Sequence, residues 1–269
     1  MTDRPSEPPV LYDMTDAVAT ITINRPESHN ALNREARVAL RDAVQQAAGD
    51  KAVRCVVLTG AGQRAFCAGQ DLREHASDLA TLSDQEIWNA VPDHYIPIAQ
   101  GIANMPKPVV AAVNGVAAGA GAALTFVCDF RLVADSAGFN LAFTGIGLSC
   151  DTGTSWTLPR LVGPAKAVEL LMRRRTISAD EASALGLATS VVPAGSLADE
   201  ASKLAHDLAA GPTAAYAAIK LALAYSAVHT LEESLHFEGE MMRVTGATLD
   251  HHNAVAAFQA KQSPTFDGH

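Results

Sequence analysis

The chain has 269 residues with a net charge of −9, and 48% of its residues are apolar against 18% charged. At about 150 residues per domain, that length means one large domain or one and a half. The composition excludes a disordered chain, the acidic balance argues against nucleic acid as a partner, and a chain this long buries a core without disulfide or metal staples. The four cysteines, Cys55, Cys67, Cys128 and Cys150, form no C-x-x-C pair and no secreted disulfide framework. The opening MTDRPSEPPV is polar, Pro-rich and without an apolar signal core, so residues 1–9 read as a short flexible leader on a soluble, cytoplasmic protein. Residues 108–128 are long enough to cross a bilayer, but their glycines and the Asn114-Gly115 turn argue against a membrane span.

In chain order, V-A-T-I-T-I at 18–23 alternates like a half-buried strand and ends at Asn24-Arg25-Pro26. Asn33 reads as the N-cap of a helix to about residue 48, with Val38, Leu40, Val44 and Ala47 near helical spacing. VRCVVLT at 53–59 is a β-branched strand stopped by Gly60-Ala61-Gly62; a loop follows through Asp71, then a helix over 86–103. VVAAV at 109–113 is a continuous apolar run, as expected of a strand covered on both faces. A small-residue helix begins near Gly119, and 130–134 is a further strand. Beyond Pro159 only helices are expected, at 155–161, 164–172, 178–185, 197–210, 213–225 and 231–258, apart from a short strand at 190–192. The pattern predicts an α/β core over 10–196 with a helical C-terminal part over 197–269.

Two glycine-rich turns follow buried strands: Gly60 to Asp71 (GAGQRAFCAGQD) and Asn114 to Gly121 (NGVAAGAG). Small residues let a ligand approach the backbone, and a helix start after the turn leaves N–H donors free; tight strand-to-helix packing would need the same residues. A dinucleotide site built on Gly119-x-Gly121 and Asp135 matches only weakly, because Leu124 occupies the third small position and the loop is too long. No G-K-[ST] phosphate loop occurs.

Four motifs, NRPESHNAL (24–32), AFCAGQDL (65–72), PKPVVAAVNGVAAGAGAAL (106–124) and AAFQAKQSPTF (256–266), together resemble the enoyl-CoA hydratase/isomerase (crotonase) superfamily over the chain from residue 10 onward. The resemblance implies the crotonase (ClpP/crotonase-like) spiral of ββα units with C-terminal helices that assemble trimers or hexamers. It implies an acyl-CoA substrate, no bound cofactor, and coenzyme A present only as part of the thioester. The backbone N–H groups of Gln70 and Ala120 would form the oxyanion hole that stabilises an enolate-like or tetrahedral intermediate. Asn30, Ala31, Leu32, Ala68 and Gly69 match the cradle of the CoA moiety, with Asp71 and Gly119 in the same motifs. Arg73 matches a basic residue for a CoA phosphate, and Lys261 one contributed by a neighbouring subunit; an ordinary solvated surface accounts for both charges equally simply.

The two glutamates by which family hydratases position water are absent: the matching positions hold Ala123 and Phe143. Asp151, in Cys150-Asp151-Thr152-Gly153-Thr154, offers another acid. Its position alone fits the N-cap or first turn of the following helix. The segment GLSCDTGTSWTLPRLVG, with FCAGQDL and VNGVAAGAGA, resembles the ring-epoxide isomerase branch of the family, in which this aspartate is catalytic. In chlorobenzoyl-CoA dehalogenases the aspartate works with a tryptophan and a histidine, and the matching positions here are Phe143 and about Ile96. The expected activity is therefore isomerisation of an enoyl-CoA or ring-epoxide aryl-acetyl-CoA by proton transfer through Asp151, its pKa raised by apolar neighbours such as Phe143 and Ile146. A hydratase of altered mechanism and a silent acyl-CoA binder are the alternatives. His94 reads as an exposed loop residue or part of the acyl pocket, Trp88 and Trp156 as core or pocket wall. Asp250-His251-His252 lacks H-E-x-x-H spacing, so no metal site is expected.

Overall fold

The computed structural model describes residues 7–269, so the first six residues of the expected leader lie outside the described ones. Strand β1 (Val10–Thr15) pairs antiparallel with β2 (Val18–Ile23) across Asp16 and Ala17, both left-handed in backbone. The other strands are β3 (Cys55–Gly60), β4 (Ala65–Cys67), β5 (Val109–Val113), β6 (Val116–Ala118), β7 (Phe130–Ala134), β8 (Gly138–Asn140), β9 (Thr176–Ser178) and β10 (Ser190–Val192). The larger sheet runs β1-β2-β3-β5-β7-β10 and is parallel after its first pair. The smaller runs β4-β6-β8-β9, antiparallel only at β8-β9.

The chain thus lays one strand in the large sheet, one in the small sheet, then a helical segment, and repeats: this is the expected ββα spiral. The helices are α1 (Arg34–Gly49), α2 (Leu72–Thr81), α3 (Asp84–Trp88), α4 (Ile96–Ala103), α5 (Ala120–Phe126), α6 (Thr154–Val162), α7 (Pro164–Met172), α8 (Ala179–Ala184), α9 (Leu197–Ala209), α10 (Thr213–Ser226), α11 (Leu231–Gly246) and α12 (Leu249–Gln259). Every residue of β5 is buried, as its unbroken apolar run requires. Helix α9 packs on β3, β5 and β7 with Ala201, Ala205 and Ala209 inward, one methyl per turn, so helix and sheet approach closely.

Several elements depart from the sequence expectation. The helix predicted over 86–103 is α3, a π-helical turn (Val91–Tyr95) and α4, separated where Pro92 and Pro97 remove backbone donors. The polar stretch before it, given no element from the sequence, holds α2, started by Asp71, whose carboxylate accepts from the backbone N–H of Arg73 and Glu74. The helix predicted over 231–258 breaks at Ala247–Thr248, where the Thr248 side chain caps α12 by accepting from His251. A three-residue strand, β9, interrupts the helices expected after Pro159. The chain also opens with β1, an edge strand too polar to show alternation.

Candidate active site

The first glycine loop is held from outside by two asparagines. Asn30 is fully buried with a left-handed backbone (φ +55°); its Nδ2 donates to Ala61 O (3.0 Å) and Ala65 O (2.8 Å), and its Oδ1 accepts from Arg25 N (2.9 Å). Asn114 donates to Gly62 O (2.8 Å) and accepts from Gly60 N (3.1 Å). Pairing of β4 with β6 then carries the two loops forward together. They touch at glycines: a Cβ on Gly69 (φ +87°) would stand 2.8 Å from Ala118 O and 3.4 Å from Ala120 N, and one on Gly121 would stand 2.1 Å from Cys67 O. No larger residue permits that approach.

Around this contact nearly every amide is used internally. Ala68 N donates to His29 O, Leu32 N to Gly69 O, Asp71 N to Leu32 O and Gly119 N to Asn140 O, at 2.7–3.1 Å. Among the described residues, the N–H groups of Gln70 and Ala120 have no such partner, and the latter opens α5, whose first-turn amides have none within the helix. Both residues line a cavity of about 410 Å³, together with Ala68, Gly69 and Gly119. The Gln70 side chain points elsewhere, hydrogen-bonded to His75 Nδ1 at 3.0 Å.

Asp151 lies on the wall of the same cavity and is its one carboxylate among the described residues. It does not cap α6: the N-cap is Gly153, without a side-chain cap, so the N-cap reading of Asp151 is corrected. The chain turns there through Thr152 (φ +52°) and Gly153 (φ +82°). The main-chain oxygen of Asp151 receives the Thr154 N–H (2.9 Å) and hydroxyl (2.8 Å), while its carboxylate accepts only from the Thr152 hydroxyl, at 2.9 Å. Burial raises the Asp151 pKa above the ordinary carboxylate range, with the Thr152 hydroxyl and the backbone pulling it partly back. Phe143 and Ile146 lie on this wall with Leu148 and Cys150; Leu72, Ile87, Trp88, Val91 and Tyr95 complete it. Ala123 is buried in α5 and Phe143 faces the cavity, so neither matching glutamate position brings an ionisable group.

Other expected residues fall outside the cavity. The side chain of Asn30 is spent on the loop, and Leu32 forms a parallel bridge with Gln70, so this segment braces the first glycine loop from behind. Ala31 is buried, its carbonyl bonded by the Arg25 guanidinium. Asp71 is paired with Arg25 at 2.9 Å and caps α2, which gives its carboxylate a structural task. Arg73 is exposed on the first turn of α2, and Lys261 is exposed just beyond α12 with φ +56°. Ile96 lies outside the cavity lining, half-buried His94 lines an adjacent chamber, and Trp156 stacks under Arg160 (4.1 Å) on the surface. His251 and His252 are exposed, while Asp250 is buried against the returning tail, accepting from Asp267 N and Gly268 N. The sequence reasoning missed Tyr95; its only signal is the Pro92 and Pro97 flanking it, which mark a break without saying what it faces.

Two loops meeting at glycines thus bring the Gln70 and Ala120 amides, neither with a main-chain partner, to one largely apolar cavity. The model of the enoyl-CoA hydratase/isomerase family matches residues 13–269, and the chain belongs to that family. It is 40% identical over 259 residues to the 1,2-epoxyphenylacetyl-CoA isomerase of Escherichia coli K12, covering 96% of this chain and 98% of that protein. It is 32% identical to the crotonyl-CoA hydratase of Syntrophomonas wolfei, over 96% and 97% of the two chains. The crystal structure of an enoyl-CoA hydratase from Bacillus anthracis superposes with a TM-score of 0.91 at 32% identity, covering 97% of this chain and 100% of that one. Among the described residues no helix is long and apolar enough to cross a membrane.

Proposed function

We propose that the chain is an acyl-CoA isomerase in which Asp151 moves a proton between carbons of the bound acyl group. The single observation that carries this reading is a half-buried carboxylate, its pKa raised by desolvation, sharing a cavity with two backbone amides that have no main-chain partner. The thioester oxygen would accept from Gln70 N–H and Ala120 N–H, which stabilise the enolate as the α- or γ-proton leaves. Asp151 takes that proton and returns it to another carbon, or assists opening of a ring epoxide; the upward shift of its pKa favours both taking and returning the proton over an ordinary carboxylate. Adding water to a double bond calls for a second group to position the water, and Ala123 and Phe143 offer none. The 1,2-epoxyphenylacetyl-CoA isomerase among the relatives favours the same reading. A panel of 3-enoyl-CoA, 2-enoyl-CoA and ring-epoxide phenylacetyl-CoA thioesters tests it by product analysis. Rearranged products from wild type, and their loss by at least about 10²-fold in Asp151→Asn, are expected. Hydrated adducts from the 2-enoyl thioester at full rate in Asp151→Asn would refute it.

The reading extends to the CoA moiety and to assembly. Backbone atoms around Asn30, Ala31, Leu32 and Ala68 would cradle the nucleotide and pantetheine, with Arg73 and a neighbouring subunit's Lys261 on the phosphates. Helices α10–α12 leave Leu223, Val228, Leu231, Met242 and Phe258 more than 65% exposed. Such an apolar face calls for a partner, and a homotrimer or pair of trimers would cover it. Truncation after Gly211 removes that face, and an active monomer at micromolar concentration would count against the assembly.

A further inference from the structure

The C-terminal segment returns along α12 and is stitched to distant parts of the chain. Asp250, in the first turn of α12, is only 3% exposed. Its carboxylate accepts from Asp267 N (2.7 Å) and Gly268 N (2.9 Å), and its own N–H donates to His269 O (3.1 Å). The Arg54 guanidinium, at the entry to β3, grips the same tail from the α/β core. Nη1 donates to Phe266 O (2.7 Å), Nε to the Thr213 hydroxyl (3.0 Å) and Nη2 to Gly211 O. All three nitrogens thus go to the tail and to the turn between α9 and α10. Gly268 packs against this junction with φ +88°: a Cβ there would stand 3.2 Å from Arg54 Nε and 3.3 Å from Thr213 Oγ1.

The other end of the tail is fixed as well. Helix α12 closes at Lys261 (φ +56°), whose N–H donates to Phe258 O (3.1 Å), while Gln262 N donates to Ala257 O (2.9 Å). Glycine is the usual residue at such a left-handed corner, so an exposed lysine there gives up backbone stability, which points to a use for its charge. From Gln262 to Asp267 the chain can reach at most about 17 Å. Helix α12 rises about 14 Å between Asp250 and Gln259. The return therefore has little slack, and pinning its far end holds the Lys261 corner.

We propose that Asp250 and Arg54 are positioning residues: by clasping the tail they hold Lys261 where it meets a phosphate of the thioester bound by a neighbouring subunit. The proposal rests on the acyl-CoA reading and on the assembly proposed with it. Neither residue touches substrate, and each acts through the tail.

The test is steady-state kinetics of the full chain on a CoA thioester and on the same acyl group carried by pantetheine, which has no phosphate. Asp250→Ala, Arg54→Met and Lys261→Met are each expected to raise KM for the CoA thioester about three- to tenfold. Turnover at saturation should stay within about twofold of wild type, and kcat/KM for the pantetheine thioester should not change. Lys261→Arg should retain the wild-type KM, and adding Lys261→Met to Asp250→Ala should raise KM no further. Gly268→Val crowds the tail off its seat while leaving both anchors intact, so it carries the test if the others fail to fold. An unchanged KM in folded Asp250→Ala and Gly268→Val, or in Lys261→Met, overturns the clasp. So does a loss shared by the pantetheine thioester, or full additivity in the double variant. A raised KM accompanied by dissociation in sedimentation would assign the clasp to assembly alone and overturn it too. Turnover of neither thioester by wild type would instead overturn the acyl-CoA reading.

Discussion

Gly121→Ala probes the crossing of the two loops directly. An added Cβ would stand 2.1 Å from Cys67 O and 2.8 Å from that residue's carbonyl carbon and Cβ. A carbon–oxygen contact begins near 3.3 Å, so relief needs about 1.2 Å of separation (about 3.3 minus 2.1). Cys67 is buried in β4 and cannot swing aside, so the N-terminus of α5 has to lift. Ala120 is its first residue and carries one of the two free amides, which moves with it. Misplacing a reacting group by about 1 Å costs roughly 10²-fold, or about 2.7 kcal/mol of barrier. That is close to the ~3 kcal/mol lost when an oxyanion donor is removed. Overpacking should also lower stability by about 1–3 kcal/mol. The assay is kcat/KM on the most reactive thioester of the panel, paired with chemical denaturation. Gly49→Ala serves as control, since a Cβ there meets nothing within 4 Å. A folded Gly121→Ala enzyme turning over within about threefold of wild type would refute the reasoning.

Three further outcomes follow from named contacts. Asp151→Asn should stabilise the fold at neutral pH: burial raises the Asp151 pKa, so wild type is favoured below the ordinary carboxylate range and loses stability as pH climbs through the raised value. Thermal unfolding across pH checks this, and a variant-to-wild-type gap that is constant down to about pH 4 would contradict it. Asp71→Ala should cost about 1–2 kcal/mol by uncapping α2. Although burial pushes the Asp71 pKa up, Arg25 and the α2 amides outweigh it and hold it low, so this loss should shrink as pH falls through that lowered value; a loss unchanged in strong acid would argue against the cap. Asn30→Ala should cost about 1–3 kcal/mol, because it strands buried partners in the first glycine loop, and denaturation showing no change would remove Asn30 as the brace.

The large sheet was readable because its inner strands are apolar-rich runs long enough to show their pattern, as at β3, β5 and β7. The small sheet was not: β4, β6, β8 and β9 have three residues each, shorter than any period, and exist because the spiral returns them to one another. The single helix expected over 86–103 failed on Pro92 and Pro97, while the Asp71 cap had a visible signal in D-L-R-E at the end of the loop, from which no helix over 72–81 was read. At the site, the two glycine-rich turns were visible in the sequence, but that they meet was not, and Gly69 and Gly121 have no substitute where they do. Asp151 could not be separated from a helix cap by position, because only the folded turn through Thr152 and Gly153 frees its carboxylate. Tyr95, ordinary in its local pattern, left no trace until the segment 91–95 packed against α1.

The central claim is that Asp151 transfers a proton on a thioester held by the Gln70 and Ala120 amides. Incubating the enzyme in D₂O with an acyl-CoA thioester and following deuterium by mass spectrometry and NMR tests it most directly. Wild type is expected to place deuterium on the carbons flanking the migrating double bond, and Asp151→Asn to bind the same thioester with comparable affinity while exchanging at least about 10²-fold more slowly. Exchange at the wild-type rate in Asp151→Asn would contradict the account.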